Sequence, residues 1–260
     1  MKKGKRIDLV LVLLFPILAS ILSLLLNVNA LGSVILFLVI PSIYLSFRAK
    51  NCIKKSIIFS AIISIPGIIV IDYIGHLTHT WIVPNSIFPF RVFGLVPIED
   101  ISWAFFISYY TIMFYEYFLD KHTTKKLWDP RLKYLAIMVL IFSSIFVIIL
   151  FGFSSLLNIP YFYMWWGAIL LLIPLLIVLF IYPKLSSKFL KTGVYFFLMT
   201  MIYELTALKL GWWYFPSETK FIGWVSILGL QFPFEEFFFW LMLFAMSFLS
   251  YYEFFADDRK

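Results

Sequence analysis

Pro233-Phe234-Glu235-Glu236-Phe237-Phe238-Phe239-Trp240 sets two adjacent carboxylates behind a proline and in front of a wall of aromatic rings. The run continues apolar to about residue 255, long enough to cross a bilayer, which takes about 20 mostly apolar residues. Ionisable groups in such a setting are costly, so they mark a function by default. A related stretch stands earlier in the chain, Pro97-Ile98-Glu99-Asp100-Ile101-Ser102-Trp103.

Outward from these two motifs the chain is membrane-like throughout. Of its 260 residues 63% are apolar and 13% charged, which excludes disorder and an ordinary soluble domain. Apolar runs predict eight spans, at about 7–26, 31–47, 57–75, 101–119, 133–152, 161–182, 192–210 and 234–255. The fold class expected is an all-α polytopic membrane protein. Lys2, Lys3, Lys5 and Arg6 before the first run imitate a secretion signal, but that run is longer than a usual signal core and reads as a retained span.

The loops alternate in basic content. Of the 21 Lys and Arg residues, all but Arg91, Lys209 and Lys220 fall on the side of the N-terminus. Basic loops stay inside, so both termini are expected in the cytoplasm of a cell-membrane protein. The same asymmetry accounts for the net charge of +7 without nucleic acid. Cys52 is the only cysteine, and no Gly-x-Gly occurs, so neither a cysteine metal cage nor a dinucleotide cofactor has support.

The chain also repeats itself. Asp72, Trp81 and Pro84 match Glu204, Trp213 and Pro216, each 132 residues later. The two Pro-x-Glu-acid motifs are 136 residues apart, and Tyr115-Glu116 matches Tyr252-Glu253 at 137. This predicts two parallel four-helix repeats, 1–120 and 134–260, joined by a basic cytoplasmic linker at 121–133. Both acidic clusters then face one side, each beneath a long aromatic loop (76–98 and 211–232) expected to fold back as a re-entrant cap.

Six carboxylates become candidates for catalysis: Asp72, Glu99, Asp100, Glu204, Glu235 and Glu236. Helix capping explains one acid of each motif, since Pro suits the first helical position and a Glu two residues on suits a capping box. It leaves the second acid, and Asp72 and Glu204, without a role. Acid–base chemistry on an apolar substrate uses them all, because a desolvated carboxyl beside an ionised one gives an acid next to a base. Trp81, Trp103, Trp213, Phe237, Phe239 and Trp240 are the candidate lining, their faces suited to a developing cation. Two other readings stay open. Carboxylates suit Mg²⁺ and a diphosphate substrate, as in an intramembrane prenyltransferase, although no Asn/Asp-rich run stands here. Carboxylates could also line a proton-coupled transport path. Asp72-x-x-x-His76-x-x-His79 has metal-like spacing but no counterpart in the second half, and reads as a polar loop pair with no metal. Glu116 and Glu253 read as interfacial anchors beside Tyr.

The doubled motif, Pro97-Ile98-Glu99-Asp100 and Pro233-Phe234-Glu235-Glu236, opening a span in each of two small membrane halves, resembles the non-flavin, heterodimer-type lycopene cyclases. In some members the halves are separate subunits; here they would be fused. Family members are often drawn with about three spans per half, whereas four are read here. The resemblance implies carotenoid biosynthesis: an isomerase of the lycopene beta-cyclase type, with no cofactor and no net redox change, closing the end group of an acyclic carotene into a cyclohexene ring. It implies a lipid-soluble carotenoid partner drawn from the bilayer and association with other carotenoid enzymes.

Overall fold

The computed structural model describes residues 3–120, 129–216 and 218–259. Most of the expected basic linker, including Lys121, Lys125 and Lys126, therefore lies outside the described residues. The chain is mostly helical, and a helical rod fills each of the eight expected windows. We label them α1 (Gly4–Leu26), α2 (Ala30–Arg48), α3 (Lys50–Leu77), α4 (Ile98–Tyr115, continued by a π-helical turn Glu116–Asp120), α5 (Leu132–Gly152), α6 (Phe162–Ile181), α7 (Pro183–Leu210) and α8 (Glu236–Ala256).

Seven of the eight, all but α4, are long and apolar enough to cross a membrane. Their burial runs opposite to that of a water-soluble protein. The two most apolar, α1 and α5, have only 22% and 11% of their apolar windows buried, whereas the least apolar, α7 and α8, have 50% and 61%. Greasy faces turned outward and polar ones inward are what a hydrocarbon solvent demands. The chain is an integral membrane protein. Helix α4 departs from the set because it is the central rod. Every residue from Ile107 to Tyr115 is buried, and it packs against α2, α3, α7 and α8. A helix enclosed by protein can carry tyrosines, serines and acids that lipid would not accept.

At the end of the bundle that carries the termini, charged side chains reach between rods. Lys55 lies 2.9 Å from Asp257, and Lys188 lies 2.5 Å from Asp120. The Tyr115 hydroxyl donates to Glu253, and the Tyr252 hydroxyl donates to Glu116. Glu116 and Glu253 are thus buried between helices rather than anchored at an interface, because each has a tyrosine donor from the other half of the chain. Beyond this end, Asp129 accepts the Arg131 amide and pairs with Arg259. Burial pushes that carboxyl up, and the two basic partners outweigh it and hold it below the usual carboxylate range.

At the other end the architecture is not purely helical. Trp224–Ile227 and Leu230–Pro233 pair as an antiparallel hairpin. Leu228 and Gly229, both at positive φ (53° and 78°), make its two-residue turn. Phe93 and Gly94 (φ 51° and 80°) make a smaller turn in the first loop, where Val92 bridges Val96. The two loops are tied to each other. Ile82 and Tyr214 exchange both backbone hydrogen bonds, at 2.9 and 3.0 Å.

Candidate functional site

The two Pro-x-Glu-acid motifs each open a rod, and their paired carboxyls diverge. Neighbours on a helix point about 100° apart, so one acid turns to the loop and the other to the bundle. Glu99 accepts the Ile87 amide (2.6 Å) and the Ser86 hydroxyl (2.8 Å). Glu235 accepts the Ile222 amide at 2.7 Å. Both acids are fully buried, and both pin the loop that precedes their own helix.

Asp100 and Glu236 turn the other way. Asp100 stands beside Asp72, with one oxygen of each and a His76 ring nitrogen all within 4.8 Å of one another, and Glu236 stands beside Glu204. Two carboxylates set side by side in a buried site repel each other when both are ionised, so such a pair favours sharing one proton. Each pair also receives an indole N–H from its own loop: Trp81 Nε1 lies 2.6 Å from Asp72 Oδ1, and Trp213 Nε1 lies 3.1 Å from Glu204 Oε1. The first pair is flanked by His76, the second by the Tyr163 hydroxyl, which donates to Glu236 Oε2.

Both pairs border one cavity of about 110 Å³. Asp72, Glu99, Asp100 and Glu236 line it; Glu204 stands behind Glu236, and Glu235 is turned away to its loop. Its walls are overwhelmingly apolar. Trp103 and Trp240 cross its floor with ring centroids 4.6 Å apart and planes at 38°. Trp81 and Trp213 come from the loops above. Of the six expected lining residues, these four tryptophans face the cavity. Phe237 packs edge-on against Phe197, and Phe239 lies on Gly167, so these two serve helix packing instead. Gly75 makes the matching close approach in the loop wall: a Cβ there would sit 2.2 Å from the Trp81 ring.

Tyr163, Trp166 and Tyr203 also line the cavity and are not among the expected residues. The signal available for the first two was the aromatic cluster Tyr161-Phe162-Tyr163-Met164-Trp165-Trp166 at the head of a span. A search keyed to the repeat passes over it, because Leu31 stands at the place matching Tyr163.

His76 is not a loop residue. It sits buried in the last turn of α3, while His79 is exposed at positive φ. His76 Nε2 accepts the Val83 amide (3.2 Å), and Nδ1 lies 3.0 Å from the Asp72 carbonyl and 3.2 Å from its carboxylate. A ring that accepts at one nitrogen is neutral and carries its hydrogen on the other. Asp72, His76 and Asp100 lie close enough to share an ion, but in this arrangement the ring nitrogen nearest the carboxyls is a donor. Two of the three basic residues of this end, Arg91 and Lys220, are also engaged, while Lys209 is exposed. Arg91 donates to the Leu95 and Val83 carbonyls (3.0 and 2.7 Å), and Lys220 to the Thr78 carbonyl.

No protein-family model matches this chain. No curated protein and no solved structure matches it either.

Proposed function

We propose that this protein is a carotenoid cyclase that isomerises the acyclic end group of lycopene or a related polyene to a cyclohexene ring. The observation that carries the reading is the doubled acid pair. Asp72–Asp100 and Glu204–Glu236 flank one apolar, tryptophan-walled cavity. Cyclisation without redox change needs one proton given and one taken back. Two carboxyl pairs, each able to hold one proton, meet that need with no cofactor.

In this mechanism the proton shared by the Glu204–Glu236 pair is delivered to the terminal double bond through Glu236, the member that lines the cavity. The tertiary cation that results is attacked by the neighbouring internal double bond, which closes the ring and moves the charge onto a ring carbon. Loss of an adjacent proton to the Asp72–Asp100 pair restores neutrality. The faces of Trp103 and Trp240 stabilise the cation while it lasts, each such contact being worth on the order of 1–2 kcal/mol in a dry site. The diphosphate chemistry of a prenyltransferase is less well supported, because Arg91 and Lys220 already donate to main-chain carbonyls.

The finer architecture belongs to the same proposal. Eight spans in two parallel repeats fit the contacts that recur at the sequence offsets, and the cytoplasmic placement of both termini rests on the basic loops alone. Trp81–Asp72 recurs as Trp213–Glu204, Ile87–Glu99 as Ile222–Glu235, and Lys55–Asp257 as Lys188–Asp120. The test is expression in a lycopene-accumulating host with pigment analysis. Cyclic carotene formed without added cofactor is the expected result; unchanged lycopene with the protein present in the membrane refutes the reading.

A further inference from the structure

Below the Trp103/Trp240 pair lies a second cavity, of about 270 Å³ and almost wholly apolar. It shares Trp103, Trp166, Trp240, Ile68 and Ile71 with the acid cavity, so the two meet at the tryptophan floor. Met138 and Phe142 of α5 form its outer wall, and both are exposed on the outward face of that sparsely buried rod. The chamber therefore runs from the acid pairs sideways towards lipid.

Its inner wall is built from small residues: Ser64, Gly67, Ala104 and Ser108. Gly67 is the informative one. It stands inside α3, where glycine costs about 0.5–1 kcal/mol relative to alanine. No positive φ requires it, and no neighbour lies within 4 Å of where its Cβ would be. Neither backbone nor packing accounts for the missing side chain; the open space does.

The other half of the chain supplies the control. The residues 132 positions after Ser64 and Gly67 are Phe196 and Met199. Both are buried in the hydrophobic core. Where this wall leaves space, its counterpart in the second half is filled.

We infer that this chamber holds the unreacted tail of a long linear hydrocarbon whose end group lies at the acid pairs, and that the filled counterpart restricts the protein to one such tail at a time. The inference rests on the proposed cyclase reading for the end-group chemistry. The occupant is a chain without a polar head. The lining offers almost no polar surface: the Ser64 hydroxyl is bonded to the Ser60 carbonyl and the Tyr251 hydroxyl to the Leu170 carbonyl.

The test uses the full chain in detergent, with Gly67→Leu as a side chain that enters the chamber and Gly67→Ala as the conservative control. Lycopene binding is read by quenching of tryptophan emission, and turnover is read separately on lycopene and on a short acyclic terpenoid with the same end group. Gly67→Leu is expected to raise the half-saturating lycopene concentration at least tenfold, with Gly67→Ala intermediate. Its loss of turnover is expected to be at least fivefold greater on lycopene than on the short substrate. Unaltered lycopene binding by Gly67→Leu overturns the inference, as does failure of the wild type to bind lycopene. So does tightly held phospholipid that Gly67→Leu releases while lycopene binding stays unchanged. Gly67-dependent binding without cyclisation in the wild type leaves the chamber standing and removes the cyclase reading instead.

Discussion

Asp100 and Glu236 differ from their neighbours Glu99 and Glu235 in what their carboxyls touch, and that difference predicts different responses to one chemical change. Glu235→Gln keeps a carbonyl oxygen able to accept the Ile222 amide, so cyclisation should fall by no more than a few-fold. Glu236→Gln removes the transferable proton, and the loss should be on the order of 10²–10⁴, the usual worth of a positioned acid. Asp100→Asn should behave like Glu236→Gln, and Glu99→Gln like Glu235→Gln. Pigment ratios at matched protein levels read all four. Equal losses for Glu235→Gln and Glu236→Gln would remove the distinction between loop pin and proton donor. That each motif holds one structural and one unexplained acid is legible in the sequence, because adjacent helical residues cannot face the same way. Which acid meets Asp72 or Glu204 is not, since that depends on how α3 and α7 are rotated in the bundle. The same blind spot covers Phe237 and Phe239: an aromatic run around a helix faces every direction, and the sequence does not say which rings see the cavity.

Among the elements, the lysine pairs and the loop walls respond most sharply. Lys55 is buried against Asp257 and Glu116 (2.9 and 3.5 Å), whereas the Lys188 side chain is 25% exposed. Removing one partner of a buried ion pair costs about 3–5 kcal/mol; losing Lys55 leaves two buried carboxylates, Asp257 and Glu116, whereas losing Lys188 leaves one, Asp120, from a pair that keeps some contact with water. Lys55→Met should therefore lower the midpoint of thermal unfolding in detergent well below that of Lys188→Met. Adding Asp257→Leu to Lys55→Met should recover part of the loss. A larger effect at Lys188 would contradict the burial argument. In the wall, Gly75→Ala puts a methyl group into the Trp81 ring and should displace that indole from Asp72. Activity should drop at least tenfold while the protein still elutes as a folded species on size exclusion. The helical rods are plain in the sequence because apolar length alone specifies them. The hairpin is not: Trp224–Ile227 alternates over only four residues, and its turn uses Leu228-Gly229 rather than the Asn-Gly or Asp-Gly that announces such turns. Helix α4 was legible as a rod but not as the centre, which only the packing of its neighbours reveals.

For the whole molecule, contacts between the two halves decide what holds it together. Tyr115 reaches Glu253, Tyr252 reaches Glu116, Lys55 reaches Asp257 and Lys188 reaches Asp120. Each of these crosses from one half of the chain to the other. If the linker between residues 120 and 129 is cut genetically, the two fragments, co-expressed, should copurify and retain cyclisation. Either fragment alone should be degraded or aggregate, since it would expose buried acids and lysines without partners. Copurification is read with a tag on one fragment only. Independent stability of either fragment would show that the exchange contributes little.

The reciprocity of those contacts has a further consequence. Each half carries a tyrosine that fits the other half's glutamate, and a lysine that fits the other half's aspartate. On the proposed repeat, two identical halves related by a two-fold axis would have made all four bonds with each other, before the halves diverged. Phe196 and Met199 are bulky where Ser64 and Gly67 are small, so the present halves are no longer interchangeable.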